Sequence, residues 1–208
     1  MMATLRRSQK PPVVEMPYSP TLADVLAGEY YAPKQKMEAP ARKILFGGEF
    51  VKKFAREGRE IRGYAIEQDY PENYSCGYGM IFGDPERKVQ FYDNIDAIVL
   101  TKDDEAVAFA SYNRSGEKIQ ITQIQGTYGK ANELKDLHWG RALICAIEEI
   151  AKQGGIKKII VRSAKNATYS EIKGNSEPGE AGYTIYDVNA RRCKYKKNKE
   201  TGNYEKEL

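Results

Sequence analysis

The sequence predicts an α+β fold in which a mostly antiparallel sheet is flanked by helices. Three β-prone runs, DAIVL, AVAFASYN and KIQITQIQ, are separated by the turn sequences TKDDE and RSGE, a pattern typical of an antiparallel meander. The stretch LKDLHWGRALICAIEEIAKQGGIKKIIV follows them and has the apolar spacing of one amphipathic helix and then a short buried strand. A meander followed by a helix and a strand indicates one layered domain.

The third run of the meander contains a break in its two-residue alternation. Ile119 and Ile121 alternate with polar residues, but the next apolar residue is Ile124, so the phase slips by one position. A β-bulge between Ile121 and Ile124 would return these side chains to one buried face. The sequence therefore predicts an irregular strand at this point.

The helix after the meander has a continuous apolar stripe. A Gly-Gly pair at 154–155 supplies its C-terminal stop, and KKIIVRSA after the pair is predicted to be a buried strand. The residues of the stripe are Trp139, Leu143, Ala146, Ile147 and Ile150.

The chain divides into an arm and a domain. Residues 1–42 are rich in proline and tyrosine, with one short helix-like piece, TLADVLAGEYY. We expect an extended arm there, because proline removes backbone donors and disfavours helix at the preceding residue. Residues 43–208 are then expected to form the domain.

Three further elements are predicted at the two ends of the domain. Phe50, Val51 and Phe54 recur at helical spacing, and Gly58 is expected to stop that helix. Residues 62–92 indicate one or two strands with an irregular loop. Near the C-terminus, YTIYDVNARRC is a short helix candidate and NYEKEL a strand expected at a sheet edge.

Composition and cysteine usage exclude several classes of protein. Hydrophobic residues make up 41% and charged residues 30%, and no apolar run approaches the roughly 18 residues of a membrane span, so we expect a soluble protein. The N-terminal segment has no continuous apolar stretch, which predicts no secretory signal and a cytoplasmic location. Cys76, Cys145 and Cys193 are far apart and His138 is the only histidine, so neither a disulfide framework nor a metal site is indicated.

The order of meander, bulged strand, loop, helix, buried strand, short helix and terminal strand resembles the GNAT-type N-acetyltransferase fold over residues 44–208. The resemblance implies a mixed, mostly antiparallel twisted sheet and acetyl-CoA as the cofactor. In that family the pattern (Q/R)-x-x-G-x-(G/A) enters the central helix, and its backbone N–H groups hold the pyrophosphate. Unpaired N–H groups and the helix dipole favour an anion at a helix N-terminus.

On this sequence the pattern falls on KDLHWG. Lys135 stands at the Gln/Arg position and His138 at the first glycine, whereas Gly140 matches the last position. Lys135 supplies charge without the planar fork of arginine, and His138 either crowds a phosphate or, as imidazolium, pairs with it. The resemblance also implies that strand residues near Ile124 pair with the pantetheine arm. The cofactor-binding residues that it implies are Ile124, Gln125, Lys135, Leu137, His138, Trp139, Gly140 and Arg141.

Acyl transfer to an amine needs a group that accepts the amine proton and an acid for the leaving thiolate. The family often places the base on the bulged strand or its neighbour, where this sequence has Gln123 and Gln125, neither of which can act as a general base. The family also places a tyrosine acid near the last helix, so Tyr186 and Tyr183 are the candidate catalytic residues. For both tyrosines, the alternative to catalysis is aromatic packing of a short helix. For His138, the alternative to a functional role is a helix cap or an exposed surface residue.

Three functions stay open from the sequence. The first, which we favour because amides rather than side chains bind the phosphates, is an acyl-CoA-dependent N-acyltransferase acting on an amine of a small molecule or protein. The second is a GNAT-like domain without catalysis that binds a partner through its arm and basic tail. The third is a nucleic-acid-binding or nucleic-acid-modifying protein, indicated by the basic run Arg191–Lys199 and the many tyrosines. A homo-oligomer also stays open.

Overall fold

The computed structural model describes residues 43–68, 96–127, 129–167 and 180–208. The predicted N-terminal arm lies outside these ranges, as do residues 69–92 of the segment predicted to contain one or two strands and an irregular loop. The strands are β1 (Lys43–Phe46), β2 (Tyr64–Gln68), β3 (Asp96–Lys102), β4 (Glu105–Ser115), β5 (Lys118–Gly126), β6 (Lys158–Val161), β7 (Lys196–Lys197) and β8 (Tyr204–Glu207). The helices between them are α1 (Gly48–Lys52), α2 (Ala131–Leu134) and α3 (Trp139–Gln153).

A further helical segment, here called the tail helix, precedes β7. It forms where YTIYDVNARRC predicts a short helix. Its three consecutive parts are α-helical over Glu180–Tyr183, π-helical over Thr184–Val188 and α-helical over Asn189–Arg192.

The described strands form one sheet in the order β1-β2-β3-β4-β5-β6-β8-β7. Every neighbouring pair is antiparallel except β5 and β6, which run parallel. Parallel neighbours need a crossover connection, and α2 and α3 supply it. The predicted α+β fold, with a mixed and mostly antiparallel sheet flanked by helices, is confirmed.

Strands β3, β4 and β5 form the predicted meander, and two-residue turns join them. Asp103 and Asp104 connect β3 to β4 with φ angles of 49° and 65°. Positive φ at both positions is typical of the turns whose twist matches that of a hairpin. Gly116, with φ of 57°, begins the turn between β4 and β5. The sequences TKDDE and RSGE therefore form turns where they predict them.

Strand β5 contains the predicted bulge. Ser111 of β4 pairs with Gln123 and the next residue, Tyr112, pairs with Ile121, so Thr122 is the extra residue of β5. The Thr122 hydroxyl donates to the Ser111 carbonyl at 3.4 Å. Beyond the bulge, Ile124 returns to the same hydrophobic core as Ile121. The phase slip in the sequence thus has the predicted structural cause.

Helix α3 packs its predicted apolar stripe against β3, β4 and β5. Leu143, Ala146 and Ile147 are fully buried, and Trp139 and Ile150 are partly buried against the same core. Burial of each leucine or isoleucine side chain contributes about 2 kcal/mol. Among the described helices, none is both long and apolar enough to cross a membrane.

The tail helix is anchored to the sheet by one buried carboxylate. Asp187 accepts a hydrogen bond from the Ala164 backbone N–H at 2.8 Å and another from the Tyr204 hydroxyl at 3.0 Å. Tyr204 begins β8, which lies between β6 and the two-residue strand β7. The C-terminal strand predicted at a sheet edge is therefore covered by β7.

Helix α1 is shorter than the helix predicted for this segment. That helix was expected to continue to Gly58, but α1 ends at Lys52. Ala55 instead pairs with Leu137 in an isolated antiparallel bridge, while Phe54 stays buried. Pairing with the loop before α3 thus competes successfully with the local helical pattern.

Gly63 and Gly58 offer a matched test of close packing beside the β3–β4 turn. Their φ angles are 74° and 71°, but a Cβ on Gly63 would lie 2.0 Å from Asp103 Oδ1, whereas nothing lies within 4 Å of one on Gly58. Gly58→Ala is expected to lower the free energy of unfolding by about 1 kcal/mol through backbone strain. Gly63→Ala is expected to lower it by about 2 kcal/mol, because the exposed Asp103 side chain must also leave its present rotamer. Urea unfolding measures both, and equal losses would contradict the close approach.

Candidate functional site

The loop that enters α3 is held against the segment that follows α1. The His138 N–H donates to the Phe54 carbonyl at 2.8 Å, and the Arg56 N–H donates to the Asp136 carbonyl at 2.9 Å. The Leu137 N–H donates to a carbonyl of α2 at 3.2 Å. These bonds fix the start of α3, and they engage the amides of residues 137 and 138.

Three backbone amides at the start of α3 have no partner within the helix. The first intrahelical bond runs from the Ala142 N–H to the His138 carbonyl at 3.0 Å, so the N–H groups of Trp139, Gly140 and Arg141 precede it. The helix is 15 residues long, and its dipole places partial positive charge at these amides. Of the cofactor-binding residues that the resemblance implies, Trp139, Gly140 and Arg141 are therefore the ones whose amides could receive an anion at this helix start.

Three arginines surround His138. Burial is the main reason that the pKa of His138 lies below its ordinary value of 6.5, and the positive charges of Arg56, Arg192 and Arg141 lower this pKa further. The three guanidinium groups belong to the turn after α1, the tail helix and α3. His138 is therefore neutral at pH 7, and the arginines around it attract an anion. Sequence reasoning missed Arg56 and Arg192, because only tertiary contacts bring these distant positions to α3.

Arg141 and Lys135 differ in how they relate to this site. The Nε atom of Arg141 is buried with no hydrogen-bond partner among the described residues, and the guanidinium lies 5.7 Å from the centre of the Phe54 ring. A buried donor without a partner is costly, so this atom favours an acceptor supplied by a ligand. Lys135 follows α2 with its side chain exposed.

Strands β5 and β6 separate halfway along β5. Their parallel pairing ends at Ile121 and Val161, after which the Arg162 N–H still donates to the Ile121 carbonyl at 3.1 Å. β5 continues to Gly126 with only β4 paired beside it. A Cβ on Gly126 would lie 3.7 Å from Trp139 Cζ2, so this end of β5 packs against the first residue of α3.

Tyr186 of the tail helix lies at this separation. Its hydroxyl oxygen accepts a hydrogen bond from the Ile124 N–H at 3.0 Å, and its side chain is only 7% exposed. Ile124 lies in the part of β5 that the sequence assigned to the pantetheine arm. Tyr183 lies earlier in the tail helix and is partly buried against the core. Of the two candidate tyrosines, Tyr186 therefore contacts β5 directly.

The glutamines of β5 bond to one another. Gln123 Nε2 donates to Gln125 Oε1 at 2.8 Å, and Gln123 Oε1 is buried without a partner among the described residues. The sheet register places the buried carboxylate of Glu67 three strands away from Gln125, through Val99 and Phe109. At 4.8 Å per strand this is about 14 Å. Glu67 is therefore too far from Gln125 to exchange a proton with it directly.

Gly140 permits close packing between α3 and the tail helix. A Cβ at this position would lie 2.6 Å from Asn189 Nδ2 and 3.6 Å from the Ile185 carbonyl oxygen. Asn189 Nδ2 itself donates to that carbonyl at 3.0 Å. The glycine thus matches the phosphate-binding pattern, but the contact that requires it is with the tail helix. A substitution such as Gly140→Asp would have to move the Asn189 side chain, so its effect on binding would not isolate a phosphate contact.

No family model and no curated protein matches this chain, whereas several solved structures do. The PaiA N-acetyltransferase of Thermoplasma acidophilum, solved in complex with coenzyme A, is 15% identical with a TM-score of 0.33, over 54% of this chain and 60% of that one. A protein of Desulfovibrio desulfuricans described as a GNAT-family acetyltransferase is 11% identical with a TM-score of 0.43, over 69% of this chain and 98% of that one. A protein of Lactobacillus plantarum described as an N-acetyltransferase is 16% identical with a TM-score of 0.40, over 71% and 99%.

These similarities concern the fold alone, since every identity is low and every TM-score is below 0.5. The match to the Thermoplasma acidophilum protein spans less than two thirds of that protein's length. The order of elements that resembles the GNAT-type fold is confirmed: the meander, the bulged β5, the crossover through α3 and the parallel β6.

His138 allows a direct test of the charges around the start of α3, because it is the only histidine of the chain. Its imidazole is expected to titrate below pH 6.5 in a proton NMR experiment, owing to burial and to the three arginines. Arg192→Gln should raise this pKa, whereas Arg114→Gln should leave it unchanged, since Arg114 contacts the Gly154 carbonyl at the opposite end of α3. A pKa at or above 6.5 in the unsubstituted protein would contradict this description.

Gly140 and Asn189 are expected to be coupled energetically. Gly140→Ala should gain about 1 kcal/mol from helix propensity but lose about 2 kcal/mol through overpacking against Asn189. The net result is a loss of about 1 kcal/mol in the free energy of unfolding. In an Asn189→Ala background the same change should be stabilising, because the clashing Nδ2 atom is absent. A double-mutant cycle by urea unfolding measures this, and strictly additive effects would contradict the contact.

Proposed function

We propose that this chain is an acyl-CoA-dependent N-acyltransferase, which transfers an acetyl group from acetyl-CoA to an amine of a small molecule or protein. One observation carries the proposal: the edge of β5 at Ile124, beyond its pairing with β6 and covered by the Tyr186 hydroxyl, adjoins a helix start where three amides lack an intrahelical partner and the charges of three arginines act. A ligand with an extended amide-bearing arm and a pyrophosphate has the chemistry for both places. Acetyl-CoA combines these features with an activated thioester.

The pyrophosphate would bind at the first turn of α3. The N–H groups of residues 139–141 would donate to its oxygens, and Arg56, Arg141 and Arg192 would supply opposite charge. The buried Nε of Arg141 has no partner among the described residues and is suited to such an oxygen. Lys135 and Leu137, which the sequence pattern also included, would then contribute little. The side chain of Lys135 is exposed, and the Leu137 N–H already donates to a carbonyl of α2.

The pantetheine arm would pair with β5 beyond the bulge, near Ile124 and Gln125. Its amides would add to the strand edge in the manner of a further strand. Tyr186 now bonds to the Ile124 N–H, so its hydroxyl must move aside or turn toward the arm when the arm binds. The loss of one such hydrogen bond costs about 1 kcal/mol, which the new amide contacts would offset.

Proton transfer would depend on Tyr186 and on a water molecule. A tyrosine hydroxyl carries a proton that it can donate, so Tyr186, which contacts β5 at Ile124, would protonate the leaving thiolate. Gln123 Oε1 would hold the incoming amine or a water that takes up its proton, because a glutamine cannot accept that proton itself. Tyr183 is the second candidate for the acid.

A GNAT-like domain without catalysis remains the second candidate function. It is favoured by the bond between Tyr186 and Ile124, which covers the open edge, and by glutamines where a base is expected. In the basic run Arg191–Lys199, Cys193 and Tyr195 are buried while the cationic residues are exposed. Steeply salt-dependent binding to nucleic acid would support a phosphate-binding role for this surface.

Titration calorimetry with acetyl-CoA tests the proposed function, with desulfo-CoA as a control for thiol chemistry. We expect binding in the micromolar range, weakened about tenfold by Arg56→Gln and by Arg192→Gln, because each removes a charge-assisted contact. Arg114→Gln removes the same charge at the other end of α3 and should leave the affinity unchanged.

An NMR titration of His138 should show that its pKa rises when acetyl-CoA binds, because a bound anion stabilises the imidazolium. Absence of acetyl-CoA binding by the unsubstituted protein would contradict the proposal and favour the domain without catalysis. Equal effects of all three arginine substitutions would contradict the assigned site.

A further inference from the structure

Cys145 of α3 and Cys193 at the end of the tail helix face each other. Their sulfur atoms are 3.6 Å apart, and both residues are free thiols. Cys193 is buried with 6% exposure, whereas Cys145 is partly exposed. A disulfide has a sulfur–sulfur length of about 2.05 Å, so the two sulfurs need to approach by only about 1.6 Å to form the bond.

The surroundings make Cys145 the more reactive thiol of the two. The hydrogen bond between the two sulfurs is the main cause that lowers the pKa of Cys145 and raises that of Cys193. Partial burial and the negative charge of Glu148 raise the pKa of Cys145, whereas the positive charges of Arg141 and Lys206 lower it. Lys206 Nζ also binds both carboxylate oxygens of Glu148 at 2.9 Å, which compensates that charge.

We propose that Cys145 and Cys193 form a peroxide-sensitive dithiol, whose reversible disulfide fastens the tail helix to α3. Cys145 is the attacking thiol, because it is partly exposed and lies beside positive charge. Cys193 is the resolving thiol, because it is buried in contact with the Cys145 sulfur. The proposal concerns the thiols alone and does not depend on the proposed acyltransferase function.

The chemistry has two steps and consumes one hydrogen peroxide. The Cys145 thiolate attacks one peroxide oxygen, the O–O bond breaks, and the hydroxide released takes up a proton to leave as water, with a sulfenic acid on Cys145. The Cys193 sulfur then attacks the Cys145 sulfur, the S–O bond breaks, and the second hydroxide leaves as water with the Cys193 proton. Two thiols are oxidised by two electrons in total, and a thiol reductant reverses the reaction.

The disulfide would act on the same helix that covers the open edge of β5. Tyr186 and Asn189 already hold this helix through the Ile124 N–H and the packing at Gly140. The disulfide adds a covalent bond between Cys193 and Cys145 of α3, which thermal motion cannot break. It also joins two positions 48 residues apart in sequence, which restricts the unfolded chain and stabilises the fold.

Mass spectrometry of the native protein after treatment with one equivalent of hydrogen peroxide tests the proposal. Because Cys76 lies outside the described residues, the experiment uses a Cys76→Ser variant, and the crosslink is mapped in the unsubstituted chain as well. We expect the intact mass to fall by two hydrogens, a Cys145–Cys193 crosslinked peptide to appear, and dithiothreitol to reverse both. The melting temperature should rise by about 5 °C or more on oxidation, and amide hydrogen exchange should slow across the tail helix.

Single variants separate the two assigned roles. In Cys193→Ser, Cys145 should stop at a sulfenic acid that dimedone traps, while Cys145→Ser should leave the buried Cys193 unmodified under the same conditions. Uptake of oxygen without a crosslink in the unsubstituted chain would overturn the proposal. A crosslink that leaves hydrogen exchange of the tail helix unchanged would overturn its claim that the helix is fastened.

Discussion

The separation of β5 from β6 beyond Ile121 is the constraint on which the rest of the site depends. Thr122 adds one residue to β5, and after it none of the described strands pairs with β5 on the side of β6. An interior strand edge leaves backbone N–H groups that need partners, because buried unpaired groups are costly. The hydroxyl of Tyr186 satisfies the Ile124 N–H, so the bulge accounts both for the opening and for the tyrosine that lies in it.

The tail helix connects this opening to α3. Asp187 anchors it to Ala164 and to Tyr204 of β8, and its Asn189 side chain packs on Gly140 where α3 has no side chain. Its middle section is π-helical. This conformation is rare in proteins overall, but where it occurs it is often found at functional sites. The tail helix therefore supplies Tyr186 to the edge of β5 and Arg192 to the start of α3. A ligand that enters between these two places has to displace the tail helix.

Local charge rather than net charge characterises the candidate site. The net charge of +4 is modest for 208 residues, but three arginines from separate segments act together on His138. The basic run that stands out in the sequence is divided by the fold, because Cys193 and Tyr195 are buried and Arg192 acts on His138. Its neighbours Lys196 and Lys197 form the exposed strand β7 instead.

The sequence by itself determined the meander, the bulge near Ile124 and the stripe of α3, because alternation, helical spacing and turn residues are local properties of the chain. It also located the helix start where the unpaired amides lie. Only the tertiary structure decided that Arg56 and Arg192 meet there, that Gly140 serves packing and that Tyr186 reaches β5. Each of these facts is a contact between segments far apart in the chain, and no local pattern encodes which distant side chain a residue will meet.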